Sequence, residues 1–304
     1  MAVYELTYKQ YLGKLTPEWS RFLVLPRHAL RDVFKSKLFT AFFVICFVPL
    51  LVEAILIYLH HNVSALAILE VNVRELLPID NSFFQAFVNI QNGFAFFVAL
   101  LIGPPLVARD LRNNALPLYL CRPFSRTEYV LGKMSVLLIL LSLMTWVPQL
   151  LLFGLQSYLE GARWFIDNLW IAGAIFISSV VWILLLSLMS QAISALVKWR
   201  VVASAALLGI VFIPSVFGEV VNQLFRTRYG SLVSINANIT NVTAGLFGRF
   251  DRVYRVLVGF DGEVATHVNL LEPPLVLSWF VLFLICAVCL ALLSWKVKAY
   301  EVVR

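Results

Sequence analysis

The sequence predicts an all-α integral membrane protein that crosses the bilayer six times. Of its 304 residues, 61% are hydrophobic and only 13% are charged, whereas a soluble domain averages about 25% charged residues. The mean hydropathy is +0.87. Six segments stay mostly apolar over roughly 18 or more residues, which is enough for a helix to cross a hydrocarbon layer about 30 Å thick. We therefore expect a single transmembrane domain over residues 1–304.

The six predicted spans are separated by charged or proline-containing loops. Their predicted bounds are 38–58, 83–108, 130–155, 169–197, 201–224 and 275–295. A proline removes a backbone N–H donor, so each proline in a span is expected to mark a kink or a helix end. These prolines are Pro49, Pro104, Pro105, Pro148 and Pro214.

The first 37 residues form a basic lead-in with seven Lys or Arg and no continuous apolar core. No cleavable signal peptide is therefore predicted. Pro26 can begin a helix here, since proline suits the first helical position. The apolar residues of this helix would share one face, and its cations would lie on others: Ala29, Leu30, Val33 and Phe34, against Arg27, Arg31 and Lys35. We expect an amphipathic helix at the cytoplasmic membrane surface; a solvated basic segment is the alternative.

The distribution of Lys and Arg predicts that both termini are cytoplasmic, because cytoplasmic loops are rich in these residues. The N-terminal segment has seven, the loop at 109–133 has five, the short loop between spans 4 and 5 has two and the C-terminal tail has three. The two short loops on the other side have only Arg74 and Arg163. The loop at 225–272 has five, but long loops cross the membrane largely regardless of charge. The net charge of +7 then reflects orientation and contact with anionic lipids, not nucleic-acid binding.

The long outer loop at 225–272 contains a second amphipathic pattern. Seven apolar residues would share one face of a helix over 246–258, with the charges elsewhere. They are Leu246, Phe247, Phe250, Val253, Tyr254, Leu257 and Val258. The segment is too charged to span the bilayer, so we expect an interfacial or re-entrant helix that caps the bundle before span 6.

Polar side chains inside the spans are candidates for a substrate pathway or for helix packing. A carboxylate at mid-bilayer costs on the order of 2.5–3.5 kcal/mol on insertion scales, so it needs a partner, a proton or water. The candidates are Glu53, Gln85, Asn89, Asn92 and Glu219 in spans 1, 2 and 5, and Ser187, Ser190, Gln191 and Ser194 in span 4. Polar stripes commonly hold helices together by hydrogen bonds, and we favour packing over a pathway.

Residue patterns typical of enzymes and metal sites are missing from the sequence. It has four histidines and no HExxH or GxSxG pattern. The Gly132-Lys133 pair lacks the upstream glycine of a phosphate-binding loop. The pair Cys286-x-x-Cys289 lies in an apolar span, where packing is a more common role than redox chemistry. We expect no catalytic residue, no metal site and no cofactor in this chain.

The loop between spans 2 and 3 carries the most specific pattern. Residues 108–133 read ARDLRNNALPLYLCRPFSRTEYVLGK. An Arg-Asp pair is followed by leucines and then by Pro-x-Ser-Arg, an aromatic residue and Gly-Lys, which opens the third span. Together with the order of lead-in, spans and loops, this pattern resembles the membrane subunit of type 2 ABC exporters. The usual Gly-Thr of that family is replaced by Asn114-Ala115, and Pro117 is additional.

The resemblance implies that this loop contains a coupling helix, a short cytoplasmic helix that docks into a groove of a separate ATP-hydrolysing subunit. The residues expected to take part are Arg109, Asp110, Arg112, Leu116, Tyr119, Arg122, Pro123 and Arg126. Apolar and aromatic side chains can anchor such an interface, and arginines can pair with acidic groups of a partner. The alternative is an ordinary basic loop whose apolar residues lie against lipid.

The expected function is that of the transmembrane subunit of an exporter, which couples ATP hydrolysis on a partner ATPase to substrate movement. ATP and Mg²⁺ would bind that ATPase. The other expected partners are a second copy of the chain or a related permease, and lipids of the bacterial inner membrane. A membrane anchor or assembly factor that moves no substrate is the main alternative. An intramembrane enzyme is a weaker one, because the acidic and histidine residues are not paired at catalytic spacing.

Overall fold

The computed structural model of the chain describes residues 24–62, 78–113, 126–197, 199–248, 255–258, 264–268 and 273–296. Ten α-helices lie in these ranges: α1 (Val24–Val33), α2 (Lys37–Ile45), α3 (Val48–His61), α4 (Asn81–Arg112), α5 (Arg126–Met144), α6 (Trp146–Glu160), α7 (Ala162–Leu196), α8 (Arg200–Phe225), α9 (Ile235–Leu246) and α10 (Leu275–Lys296). A 3₁₀ helix (Tyr229–Val233) precedes α9, and the strands β1 (Arg255–Val258) and β2 (Val264–Val268) pair antiparallel.

Six segments in the described ranges are long and apolar enough to cross a membrane, which confirms the predicted number of spans. They are span 1 (Lys37–His61, α2 with α3), span 2 (Asn81–Ala108, in α4), span 3 (Thr127–Glu160, α5 with α6), span 4 (α7), span 5 (α8) and span 6 (α10). Spans 3 and 4 extend further than predicted. They meet at Gly161, whose φ of 101° is accessible to glycine at little cost.

Two of the spans consist of two helices each. The break between α2 and α3 lies just before Pro49, and the break between α5 and α6 lies just before Pro148. Both agree with the predicted kinks, because each proline lies in the first turn of the following helix and has no N–H to continue the ladder of the preceding one. The helix continues through Pro104 and Pro105 in α4 and through Pro214 in α8.

Span 4 lies at the centre of the bundle. In the most apolar 18-residue stretch of span 4, 61% of the residues are buried. The corresponding shares are 22% in span 5 and 17% in span 6. Its most extensive packing is against span 2, and it also contacts both halves of span 3, span 5 and span 6. Cys286 and Cys289 of span 6 are free thiols, and Cys289 packs in the core, in agreement with a packing role.

The helix predicted in the basic lead-in is present as α1. Its residues Ala29, Leu30 and Val33 pack against the buried core, and Arg27 and Arg31 are exposed. The helix contacts α5, the cytoplasmic half of span 3 by the predicted orientation. Phe34, the last residue of the predicted apolar face, follows α1 and is exposed, and the location of α1 at a membrane surface stays a prediction.

The helix predicted over 246–258 is wrong in its last part, because β1 occupies Arg255–Val258. Alternate β-branched residues in this segment favour a strand, and the Asp261-Gly262 dipeptide that follows favours a tight turn. These local signals prevail over the helical periodicity of the apolar residues.

A different helix, α9, lies before this hairpin. It packs against spans 4, 5 and 6. The Asn241 side chain donates hydrogen bonds to Pro273 O at 2.9 Å and to Ser278 Oγ at 2.8 Å. These two bonds hold α9 against the start of span 6.

Candidate functional site

Three polar side chains join the ends of spans 2 and 3 at the base of the loop between them. Asp110 lies in the last turn of α4, and Tyr129 and Lys133 lie near the start of α5. Lys133 Nζ is 2.8 Å from Asp110 Oδ2, and the Tyr129 hydroxyl donates to the same oxygen at 2.8 Å. We call Asp110, Tyr129 and Lys133 the loop clamp.

Little of the loop clamp reaches solvent. Tyr129 is fully buried, and the Lys133 and Asp110 side chains are 11% and 13% exposed. The spacing of four residues places Tyr129 and Lys133 on one face of α5. Lys133 Nζ also lies 5.8 Å from the centroid of the Tyr129 ring, which is within cation–π range. An ion pair shielded in this way is costly to break from one side, because the remaining charge loses its partner.

The structure places the predicted loop residues as follows. Leu116, Tyr119, Arg122 and Pro123 lie outside the described residues, so the coupling helix stays a prediction. Arg109 and Arg126 lie in the terminal turns of α4 and α5, and Arg112 is exposed at the end of α4. The carboxylate of Asp110 bonds within the chain, to Lys133 and Tyr129, and its part in coupling stays a prediction.

Two residues of the loop clamp, Tyr129 and Lys133, lie on α5, the helix that also packs against α1. Because α1 packs on α5, the lead-in helix and the two ends of the loop form one contiguous group of elements. A movement of α5 would therefore act on spans 2 and 3 and on α1 together.

Comparison with known families decides what kind of bundle this is. A family model described as "ABC-2 family transporter protein" matches residues 23–295. The chain belongs to the ABC-2 transporter family. As an ABC-2 protein it is a transmembrane subunit of an ABC transporter, and the matched region contains the loop clamp and the six described spans except for the last residue of span 6. No curated protein shows a significant match to the chain.

In this ABC-2 protein the predicted serines of span 4 pack against the proline-containing end of span 2. Ser194 Oγ accepts a hydrogen bond from Ala108 N at 2.7 Å and donates one to Pro104 O at 2.5 Å. In a regular helix the Ala108 N–H would bond directly to Pro104 O. The Ser194 hydroxyl is thus inserted into the ladder of span 2. Ser190 occupies the space beside Gly103 that a larger residue would fill, since a Cβ added to Gly103 would be 1.7 Å from Ser190 Oγ.

The other predicted polar residues of spans 2, 4 and 5 differ in exposure. Gln85, Asn92, Ser187 and Gln191 are buried, Glu219 is half-buried and Asn89 is exposed. Asn89 is therefore the exposed member of the three amides in span 2. On an ideal helix Asn89 is rotated about 40° from Gln85, which is enough to reach the edge of the packed face.

Glu53 of the ABC-2 protein is fully buried and faces α6. Its Oε2 accepts a hydrogen bond from Gln149 Nε2 at 2.8 Å. Neither α3 nor α6 contains Lys or Arg. The amide of Gln149 is thus the partner that Glu53 required, and the pair joins spans 1 and 3.

Sequence reasoning missed two features of the site. It identified Tyr129 and Lys133 only as matches to a family pattern, although their spacing of four residues indicated a shared helix face. Their bonds to Asp110 could not be predicted, because they depend on how spans 2 and 3 pack. It also passed over Gln91, a buried amide in span 2 that lies off the predicted stripe.

Proposed function

We propose that this chain is the membrane subunit of an exporter, and that a separate ATP-binding-cassette ATPase drives it through the loop between spans 2 and 3. ATP and Mg²⁺ bind the ATPase. The working unit contains two ATPases and two membrane subunits, either two copies of this chain or this chain and a related permease. The observation that carries the proposal, beyond family membership, is the loop clamp.

The loop clamp supports this proposal because it makes the loop able to transmit force. A push on a loop moves its helices together only if the ends of the loop cannot slide past each other. Asp110 holds these ends in one arrangement through Lys133 and Tyr129. Span 2 also packs extensively against the central span 4. Displacement of the docked loop would therefore rock a packed bundle between two arrangements.

We also propose the orientation and location that the charge distribution predicts. Both termini and the loop clamp face the cytoplasm of a bacterial cell, and the chain lies in the inner membrane. The exposed Arg27 and Arg31 of α1 would lie near anionic headgroups, while the opposite face of α1 holds to α5.

An experiment on the loop clamp tests the coupling. Asp110→Asn and Lys133→Met each leave one charge of the clamp without its partner. We expect each to lower the ATPase activity of the purified complex by about tenfold or more, because breaking a shielded pair from one side costs several kcal/mol. The charge-exchange variant D110K/K133D should recover much of the loss. Glu160→Gln is the control, since it makes the same carboxyl-to-amide change in the His61–Glu160 pair at the other end of span 3.

Normal activity in both single variants, with normal membrane insertion, would remove the loop clamp from the mechanism. The competing function, a membrane anchor that moves no substrate, gives another result. In that case the complex assembles and hydrolyses ATP, and the single variants change assembly without changing the activity of each assembled complex.

A further inference from the structure

One buried amide in the middle of the bundle joins three spans. Gln91 of span 2 is 1% exposed. Its Nε2 donates to Cys46 O in span 1 at 3.0 Å and to Met144 O in span 3 at 2.6 Å. Both hydrogens of the amide are therefore used. Both acceptors are backbone carbonyls, and each lies at the break of a two-helix span.

The break in span 3 explains why Met144 O needs a donor from another helix. A helical carbonyl accepts from the N–H four residues later. For Met144 this residue is Pro148, which has no N–H. The ladder resumes one residue on, where Gln149 N donates to Thr145 O at 3.3 Å. An unsatisfied carbonyl in hydrocarbon costs several kcal/mol, and the Gln91 amide supplies the missing bond.

Cys46 O has a similar position in span 1. The chain turns tightly here, because Phe47 N donates back to Val44 O at 3.0 Å. Pro49 lacks the N–H that would bond to Ile45 O, so the helical ladder is interrupted next to Cys46. The α3 ladder begins when Leu51 N donates to Phe47 O at 3.1 Å. The second hydrogen of Gln91 thus satisfies a carbonyl that the break has exposed.

A row of aromatic rings connects the break in span 1 to the cytoplasmic helix α1. The row begins at Phe34, which directly follows α1, and ends at Phe47 in the break. Successive ring centroids are 5.7 Å apart for Phe34–Phe39, 5.8 Å for Phe39–Phe43 and 5.5 Å for Phe43–Phe47. Packed rings resist relative displacement. The break held by Gln91 is therefore in contact, through α2, with the elements around the loop clamp.

We propose that Gln91 is a positioning residue for the transport movement. It fixes the angle between the halves of span 1 and of span 3, so that spans 1, 2 and 3 move as one body when the loop clamp is displaced. Without it, each proline break becomes a hinge, and movement at the cytoplasmic side is absorbed before it reaches the outer halves. The part of this inference that concerns transport rests on the proposed function, whereas the fixed angle does not.

Distances between spin labels at the outer ends of spans 1 and 3 test the proposal. The labels are placed by Tyr58→Cys and Tyr158→Cys, both at exposed positions, after replacement of the native cysteines by Ala or Ser. The complex with the ATPase is measured at rest and with ATP and vanadate. The test variant Gln91→Met keeps the side-chain length and removes both donors. The control Asn89→Leu removes an exposed amide of the same helix.

We expect one narrow distance distribution at rest in the parent protein and in Asn89→Leu. In Gln91→Met the distribution broadens, and the minor arrangement rises about two- to tenfold for each lost hydrogen bond. Pro148→Ala supplies a backbone donor for Met144 O. The distance distribution in Q91M/P148A should therefore be narrower than the distribution in Q91M. If Gln91→Met does not fold, Gln91→Asn keeps an amide that is too short to reach both carbonyls, and the same broadening is expected.

Two results would overturn the proposal. One is an unchanged resting distribution in the Gln91 variants, even if their thermal stability falls, since that describes packing alone. The other is a distance distribution in Q91M/P148A that is no narrower than the distribution in Q91M. Broadening in Gln91→Met, in a complex whose parent form shows no change of distance with ATP and vanadate, would instead sustain the fixed angle and contradict the proposed function.

Discussion

At the scale of single residues, Glu53 shows how a carboxyl is accommodated inside this bundle. It is fully buried in span 1, and its described bond is to the amide of Gln149 in span 3. Polar contacts of this kind hold membrane helices together, since hydrocarbon offers no competing partner. The Glu53–Gln149 hydrogen bond therefore joins α3 of span 1 to α6 of span 3.

Substitutions at Glu53 separate the bond from the charge. Glu53→Gln keeps an acceptor for the Gln149 amide, so we expect thermal stability in detergent close to that of the parent. Glu53→Leu leaves that amide buried and unpaired, which costs about 1–3 kcal/mol of stability. Equal loss of stability in the two variants would contradict this role and would mean that the carboxyl itself is required.

The sequence identified polar side chains within the spans, but it did not identify their hydrogen-bond partners. A carboxyl is costly in hydrocarbon, which predicted a partner for Glu53, and Gln149 is that partner. Asn89 and Gln91 are amides two residues apart, yet one is exposed and the other is at the centre of three spans. Helical periodicity alone does not separate them, because the face of span 2 that packs is set by spans 1, 3 and 4.

At the scale of helices, the contact between spans 2 and 4 depends on small side chains. Ser194 bonds to the Ala108 N–H and to the Pro104 carbonyl of span 2, and Ser190 lies against Gly103. Close approach of this kind is typical of membrane helices with small interfacial residues. It places the rigid centre of the bundle directly beside the end of span 2 that carries the loop clamp.

Glycine substitutions in span 2 test this contact. A Cβ at Gly103 would lie 1.7 Å from Ser190 Oγ and 2.7 Å from Ser190 Cβ, whereas a Cβ at Gly93 meets nothing within 4 Å. We expect Gly103→Ala to destabilise the protein by about 1–3 kcal/mol or more. Gly93→Ala should be neutral or slightly stabilising, since alanine favours a helix. Thermal unfolding of both variants measures the difference, and equal stability would show that the two helices are not in close contact.

The helices and their breaks were predictable where a single feature of the sequence determines them. Long apolar segments gave the six spans, and Pro49 and Pro148 indicated the breaks in spans 1 and 3. The same reasoning could not separate these prolines from Pro104, Pro105 and Pro214, whose helices continue. In α4, Ser204 Oγ of span 5 donates at 3.2 Å to Leu100 O, the carbonyl that Pro104 leaves without a backbone donor. The hairpin at β1 was missed because apolar periodicity was weighed above turn and strand signals.

At the scale of the whole molecule, the described bundle has a packed centre and a sparsely packed periphery. Spans 5 and 6 bury only 22% and 17% of their most apolar windows. Their outer faces must be covered by lipid or by another membrane subunit. The ends of spans 2 and 3 that carry the loop clamp, by contrast, are bonded to each other, and α5 packs against α1. This arrangement suits a subunit that receives force at one side and changes its contacts within the membrane.

The most direct test of this account is the accessibility of Cys121, a native cysteine in the loop between spans 2 and 3. The other cysteines are replaced, and the chain is treated with a membrane-impermeant maleimide in intact cells and in inside-out vesicles. The account predicts labelling only in inside-out vesicles, and protection of Cys121 when the ATPase subunit is bound. Labelling in intact cells, or equal labelling with and without the bound ATPase, would contradict it.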